Sequence, residues 1–252
     1  MRSMIILIIL IGGLLFFTVR FISPGCQITE NGNGEKKHST FVLVFCDVST
    51  SMGDTTTYHT MIEYSLEILR WMHKAKCRGR FYLINSRTIN PNWEFKVDFS
   101  KKISKRDYFA LEHQLYSEII NIKPDTSNRV SSCIIDAFRL AKETFDKIDT
   151  SKYVFELIIL SDMMEHCTNS VFHRYVDLCS QHTLDKDICR KLIPLLPDTL
   201  SICSLSMVRV SIILTTYASN RPQCWEEFWK KFFKSCNVKE LYFAPGIPPT
   251  KD

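Results

Sequence analysis

The sequence predicts an α/β protein with a doubly wound, mostly parallel sheet, helices on both faces and one antiparallel edge strand. Three observations predict it. A continuous apolar run at Phe41–Cys46, and largely apolar runs at Tyr153–Leu160 and Val208–Thr216, all rich in β-branched and aromatic residues, have the composition of central strands. Stretches of helical period separate them, and polar residues end the runs abruptly at Asp47 and at Ser161-Asp162.

The elements follow in order. After Phe41–Cys46, the segment Tyr58–Ala75 places Met61, Tyr64, Leu66, Ile68, Leu69 and Met72 at roughly helical spacing, completing a strand–helix unit. Arg80–Asn85 is a second strand, and Trp93–Phe99 alternates Phe95, Val97 and Phe99 with polar neighbours, as an antiparallel edge strand does. Ser104–Ile120 and Ser131–Phe145 read as helices, the first through Tyr108, Leu111, Leu115 and Ile119, the second through Ile134, Ile135, Phe138 and Ala141. Between these helices lies a polar loop from Lys123 to Val130. Trp225, Phe228, Trp229, Phe232 and Phe233 recur on one helical stripe, which packs a core, and Val238–Phe243 is a final short strand.

Composition bounds the function. With 45% hydrophobic and 23% charged residues the chain is globular rather than disordered, fibrous or coiled-coil. Residues 1–38 carry four basic and two acidic side chains, hence two of the five net positive charges, and the rest has no nucleic-acid footprint. Its densest basic cluster, Lys101, Lys102, Lys105 and Arg106, reads as a solvated helix start. The apolar run Met4–Val19, between Arg2 and Arg20, has the polarity of a secretory leader or a membrane anchor, extended by Phe21 and Ile22 if it spans. The expected organisation is therefore a signal peptide or anchor at 1–25, a linker at 26–38, one domain at 39–246 and a tail at 247–252. The domain is expected on the extracytoplasmic side, retained by the helix or by lipid on Cys26. Ten cysteines suit an oxidising compartment. Cys46 and Cys133 sit in apolar stretches as small buried hydrophobes, whereas Cys167, Cys179, Cys189 and Cys203 are candidates for disulfides. No common zinc-module spacing occurs.

In doubly wound sheets ligands bind at the carboxyl ends of strands. Asp47-Val48-Ser49-Thr50-Ser51 sets one carboxylate and two hydroxyls at alternating positions just after a buried strand, and Asp162 ends another. Such hard oxygens suit Mg²⁺ or Mn²⁺. Asp47 is expected at a solvent-facing strand end rather than in the apolar core. The plain structural alternative is that both aspartates cap the loops that follow, with Ser49 and Ser51 making side-chain turns.

This arrangement, Asp-x-Ser-x-Ser after a buried strand, a hydroxyl in a second loop and an Asp ending a later strand, resembles the metal-ion-dependent adhesion site of von Willebrand factor A (VWA) domains. The resemblance covers residues 41 to about 245, and the strand end Ser161-Asp162-Met163 stands where many members have Thr-Asp-Gly. With Trp229 and Phe232-Phe233 before a last short strand, it resembles a bacterial, membrane-associated branch of that family. It implies that Ser49 and Ser51 hold the metal directly and that Asp47 and Asp162 hold it directly or through water. Ser132 would supply the second-loop hydroxyl, with Ser131 the near alternative and Thr126 or Ser127 further candidates. The sixth ligand would be a carboxylate of a protein partner, and no catalysis is implied.

A metal-free interaction scaffold on the same fold is one alternative, and two enzyme readings compete as well. An aspartate ending the first strand also opens haloacid-dehalogenase-type phosphatases, with Asp47 as nucleophile, but these need an acid two residues on, where this chain has Ser49. A thiol hydrolase on Cys167 with His166 or His173 lacks an orienting partner.

Overall fold

The computed structural model describes residues 39–48, 55–84, 93–122, 134–149, 151–163, 208–214, 229–230, 232–234 and 238–245. In chain order these form β1 (Ser39–Asp47), α1 (Thr55–Lys74), β2 (Arg78–Ile84), β3 (Glu94–Asp98), α2 (Lys105–Ile120), α3 (Ile134–Asp146), β4 (Tyr153–Ser161), β5 (Val208–Leu214) and β6 (Glu240–Pro245). The six strands make one sheet in the order β3-β2-β1-β4-β5-β6. All neighbours run parallel except β2 and β3, so the predicted mostly parallel sheet with one antiparallel edge is observed.

Every residue of β1 after Ser39 is buried. A strand enclosed on both faces needs apolar side chains at odd and even positions alike, which is why its sequence runs without alternation. The two parities divide the core. Phe41, Leu43 and Phe45 of β1 join Phe155, Leu157 and Ile159 of β4 under α3 and the aromatic residues Trp229, Phe232 and Phe233. Val42, Val44 and Cys46 join Ile158 and Leu160 on the opposite face, under α1 and α2. Helices therefore cover both faces, and the doubly wound prediction holds.

On the first face Phe138 packs against Trp229, Phe232 and Phe233 with ring centroids 5.9, 5.6 and 5.1 Å away. Each of these fully buried rings is worth about 1.5–3 kcal/mol of transfer free energy. The described part of the aromatic stripe is thus a core stripe; Trp225 and Phe228 lie outside the described residues. On the other face the Tyr58 hydroxyl donates to the carbonyls of Ile119 and, at 2.8 Å, Ile122, fastening the first turns of α1 to the end of α2. Burial pushes the Tyr58 phenol up to about 12, aided by the neighbouring Cys46.

Local signals explain the element ends. Ser104 is the N-cap of α2 rather than its first helical residue: its hydroxyl accepts from the Asp107 amide at 3.1 Å. β6 starts at Glu240, two residues later than the sequence suggested. The Val238 amide is bonded back to the Phe233 carbonyl, and the Lys239 amide reaches the Val208 carbonyl at 3.0 Å, so both residues belong to the turn. At the β3 edge, Glu94 binds Arg80 at 2.7 Å and Lys96 at 2.6 Å, charges that discourage pairing with another chain.

Gly79 marks where α1 and β1 close on β2. A Cβ there would lie 2.3 Å from the Val42 carbonyl oxygen and 2.5 Å from Met72 Cε. Gly79→Ala is expected to lower stability by about 3 kcal/mol in urea unfolding, because a central-strand carbonyl must move; a loss below about 0.5 kcal/mol would contradict this packing.

Candidate functional site

In a sheet ordered 3-2-1-4-5-6 the winding direction reverses between β1 and β4, and the crevice at their carboxyl ends is where such folds bind ligands. Both predicted aspartates are there. Asp47 is the last residue of β1, and Asp162 follows the last residue of β4. The register Cys46↔Leu160 brings the two ends level.

Asp47 corrects an expectation. It is 0% exposed and Asp162 is 6% exposed, so Asp47 does not face solvent. It lies between β2 and β4, and its odd position puts its side chain on the same face as Phe45. Ser161, at the matching parity of β4, donates its hydroxyl to Asp47 Oδ2 at 2.6 Å. The same hydroxyl accepts from the Met163 amide at 2.8 Å. A carboxylate offers about four acceptor positions, so this bond orients Asp47 while occupying one of them.

Ser161 is the residue that motif reading missed, since it was noted only as the end of the strand. The signal lay in parity: odd residues of β1 and β4 share a face, and Asp47 and Ser161 terminate those two series side by side.

The turn after β4 is strained. Met163 has φ 59°, in the left-handed region that costs a residue with a Cβ about 1–2 kcal/mol. This is the position at which the resembled pattern carries Gly. Its strain is held by burial, with Met163 fully enclosed in the core, and by the Trp229 indole, which donates to the Met163 carbonyl at 3.2 Å. The aromatic stripe thereby also fixes the backbone beside Asp162.

Behind Asp47, Cys46 points to the opposite face, with Sγ 3.3 Å from Ser65 Oγ, and the Ser65 hydroxyl donates to the Met61 carbonyl at 2.9 Å. Burial pushes the Cys46 thiol up to about 12, with the Ser65 bond opposing and the Asp47 charge adding to the rise. Cys46 is thus the small buried hydrophobe expected of it.

The other predicted donors, Ser49, Ser51 and Ser132, with Ser131, Thr126 and Ser127, lie outside the described residues, as do Cys26, Cys133, His166, Cys167, His173, Cys179, Cys189 and Cys203. Among the described residues no three His, Cys, Asp or Glu side chains gather as a ligand set. What the described site offers a cation is two buried carboxylates at adjacent strand ends. This hard-oxygen chemistry fits Mg²⁺ or Mn²⁺ and does not fit a thiolate zinc centre.

No protein-family model matches the chain, and no curated protein is similar to it in sequence. Solved structures similar to the chain include proximal thread matrix protein 1 from the mussel byssus, 12% identical over 70% of this chain, with a TM-score of 0.39. This chain spans 38% of that protein, another structure of which has a zinc-occupied MIDAS motif. The SpRpn10 VWA domain is 10% identical, covering 85% of this chain and 90% of its own length, with a TM-score of 0.47.

Two measurements test the geometry. Met163→Gly and Met163→Ala both delete the buried side chain, yet the Gly variant is expected to be the more stable by about 1 kcal/mol, because it relieves the left-handed backbone; an Ala variant of equal or greater stability would exclude strain at this turn. The second concerns alkali. The unfolded Cys46 thiol loses its proton near its ordinary value of 9.0, while the folded one keeps it to about 12. Above pH 9 the native state therefore binds more protons than the unfolded state, and stability falls as pH rises, by up to about 1.4 kcal/mol per unit. Cys46→Ala should lack the descent between pH 9 and 10, below the range where Tyr58 adds its own; an unchanged profile would contradict the burial assigned to this thiol.

Proposed function

We propose that this protein is a VWA-like binding module that holds Mg²⁺ or Mn²⁺ at the carboxyl ends of β1 and β4 and uses it to engage a protein partner. The observation that carries the reading is the pair Asp47 and Asp162, buried at adjacent strand ends on the reversal of the sheet, with Asp47 oriented by Ser161. Ser49, Ser51 and Ser132 complete the donor set in this reading. A bound cation would supply one open coordination position, which a partner's carboxylate would fill.

The phosphatase alternative needs an acid two residues beyond the nucleophile to protonate the leaving group, and this chain has Ser49 there. No turnover of a chromogenic phosphate ester is expected. In this reading residues 1–25 keep the protein at a membrane, residues 26–38 link it to the domain at 39–246, and the domain is extracytoplasmic, as in a bacterial envelope protein. No helix among the described residues is long and apolar enough to cross a membrane, and the Met4–Val19 run lies outside them.

Calorimetric titration with Mn²⁺ tests the site. Wild type should bind, while Asp47→Asn and Asp162→Asn should each weaken binding at least tenfold and still unfold cooperatively. Ser132→Ala should weaken it several-fold, Ser132→Thr should preserve it, since the added methyl restricts χ1 and keeps the Oγ, and Ser131→Ala should spare it. Undiminished binding by Asp47→Asn would sink the assignment, and loss in Ser131→Ala alone would shift the second-loop ligand by one residue.

A further inference from the structure

The pole of the sheet opposite the aspartates carries its own charge. There α1 ends and β2 begins, and β3 ends and α2 begins; the two turns touch, with the Phe99 amide bonded to the Cys77 carbonyl at 3.0 Å. His73 bridges them, stacked on Tyr108 at 4.3 Å and edge-on to Phe99 at 5.2 Å. Six exposed cations, Lys74, Lys76, Lys101, Lys102, Lys105 and Arg106, project from this junction, and none forms an ion pair among the described residues. Its carboxylates are committed elsewhere: Asp98 holds Arg78 at 2.9 Å and the Ser100 hydroxyl, and Asp107 takes the Ser104 hydroxyl at 2.7 Å within the cap of α2. Phe109 stands one turn above Lys105, 52% exposed, with Lys105 Nζ 5.6 Å from its ring centre. A cationic rim beside an exposed aromatic ring on an amphipathic helix is the composition that settles on anionic lipid.

β1 enters the sheet at this same pole, where the Ser39 amide meets the Lys152 carbonyl at 3.1 Å. If the apolar run reaches Ile22, sixteen residues, 23–38, separate it from Ser39 and extend at most about 55 Å. The chain thus enters the domain at the pole that carries the cationic junction, opposite the aspartates.

We propose that the junction of the α1–β2 and β3–α2 turns is a docking surface for an anionic membrane, on which Phe109 rests while Asp47 and Asp162 face away. The choice of lipid over other polyanions rests on the reading of the N-terminal segment as a membrane anchor; the cationic junction itself does not.

The test uses the full chain with phosphatidylcholine vesicles and with vesicles containing 30% phosphatidylglycerol, read by amide exchange over residues 101–110 and by flotation. Exchange there should slow at least fivefold on the anionic vesicles only. The slowing should disappear in 0.5 M salt and in a Lys101→Glu/Lys102→Glu/Lys105→Glu variant, with Lys→Gln at the same positions as a milder counterpart. Equal exchange on the two lipids would overturn the proposal, as would equal protection by duplex DNA or polyglutamate at matched charge. Flotation separates the two readings: a chain that floats only with anionic vesicles refutes the anchor and keeps the surface, and one that floats with both but shows no protection keeps the anchor and refutes the surface.

Discussion

A single strand with no exposed side chain beyond its first residue sets the terms for everything else. β1 is buried along both faces and paired along both edges, so it can exist only where helices lie above and below and where parallel neighbours flank it. Those requirements force crossover connections, and crossovers to both sides force the winding to reverse next to β1. The reversal opens the crevice, and the crevice receives Asp47. The position of the candidate site is thus a consequence of burying β1.

The same constraint gives the acidic end its chemistry. Polar groups at the end of a buried strand need partners, and the Ser161 hydroxyl serves one side chain and one backbone group at once, donating to the Asp47 carboxylate and accepting from the Met163 amide. Trp229 extends this order into the core by holding the Met163 carbonyl. The residues that pack and the residues that would bind are therefore one network, in which a change to the aromatic face is felt at the carboxylates.

Much of this was legible in the sequence because β1 is apolar at both parities, β4 is so apart from Glu156, β5 is so over Ile212–Leu214, and α2 and α3 show clean helical stripes. Asp47 and Asp162 were legible as abrupt polar stops. The burial of Asp47 was not, since a one-dimensional pattern shows where an apolar run ends but not that two neighbouring strands enclose its last residue. Ser161 escaped for a related reason: its partner is 114 residues away, and only the β1–β4 register makes them neighbours. The start of β6 was misplaced because Val238 is apolar and half-buried yet serves a turn, a distinction carried by its backbone hydrogen bond. The hydroxyls at 49 and 51 were legible as alternating donors after an apolar run, whereas the choice of 132 was read from a resemblance alone.

The segment joining β1 to α1 has both its ends fixed. Val48 is held by the Ile84 carbonyl at 3.0 Å, and Tyr58 is locked to the end of α2. These two anchors belong to the folded frame itself, so Val48 and the first turn of α1 are held at their separation before any ligand arrives. A ligand that draws on Ser49 and Ser51 meets a loop whose ends are already anchored, and less of its binding free energy goes into ordering the chain. In the proposed reading, the tyrosine at the start of α1 thereby acts on affinity through entropy.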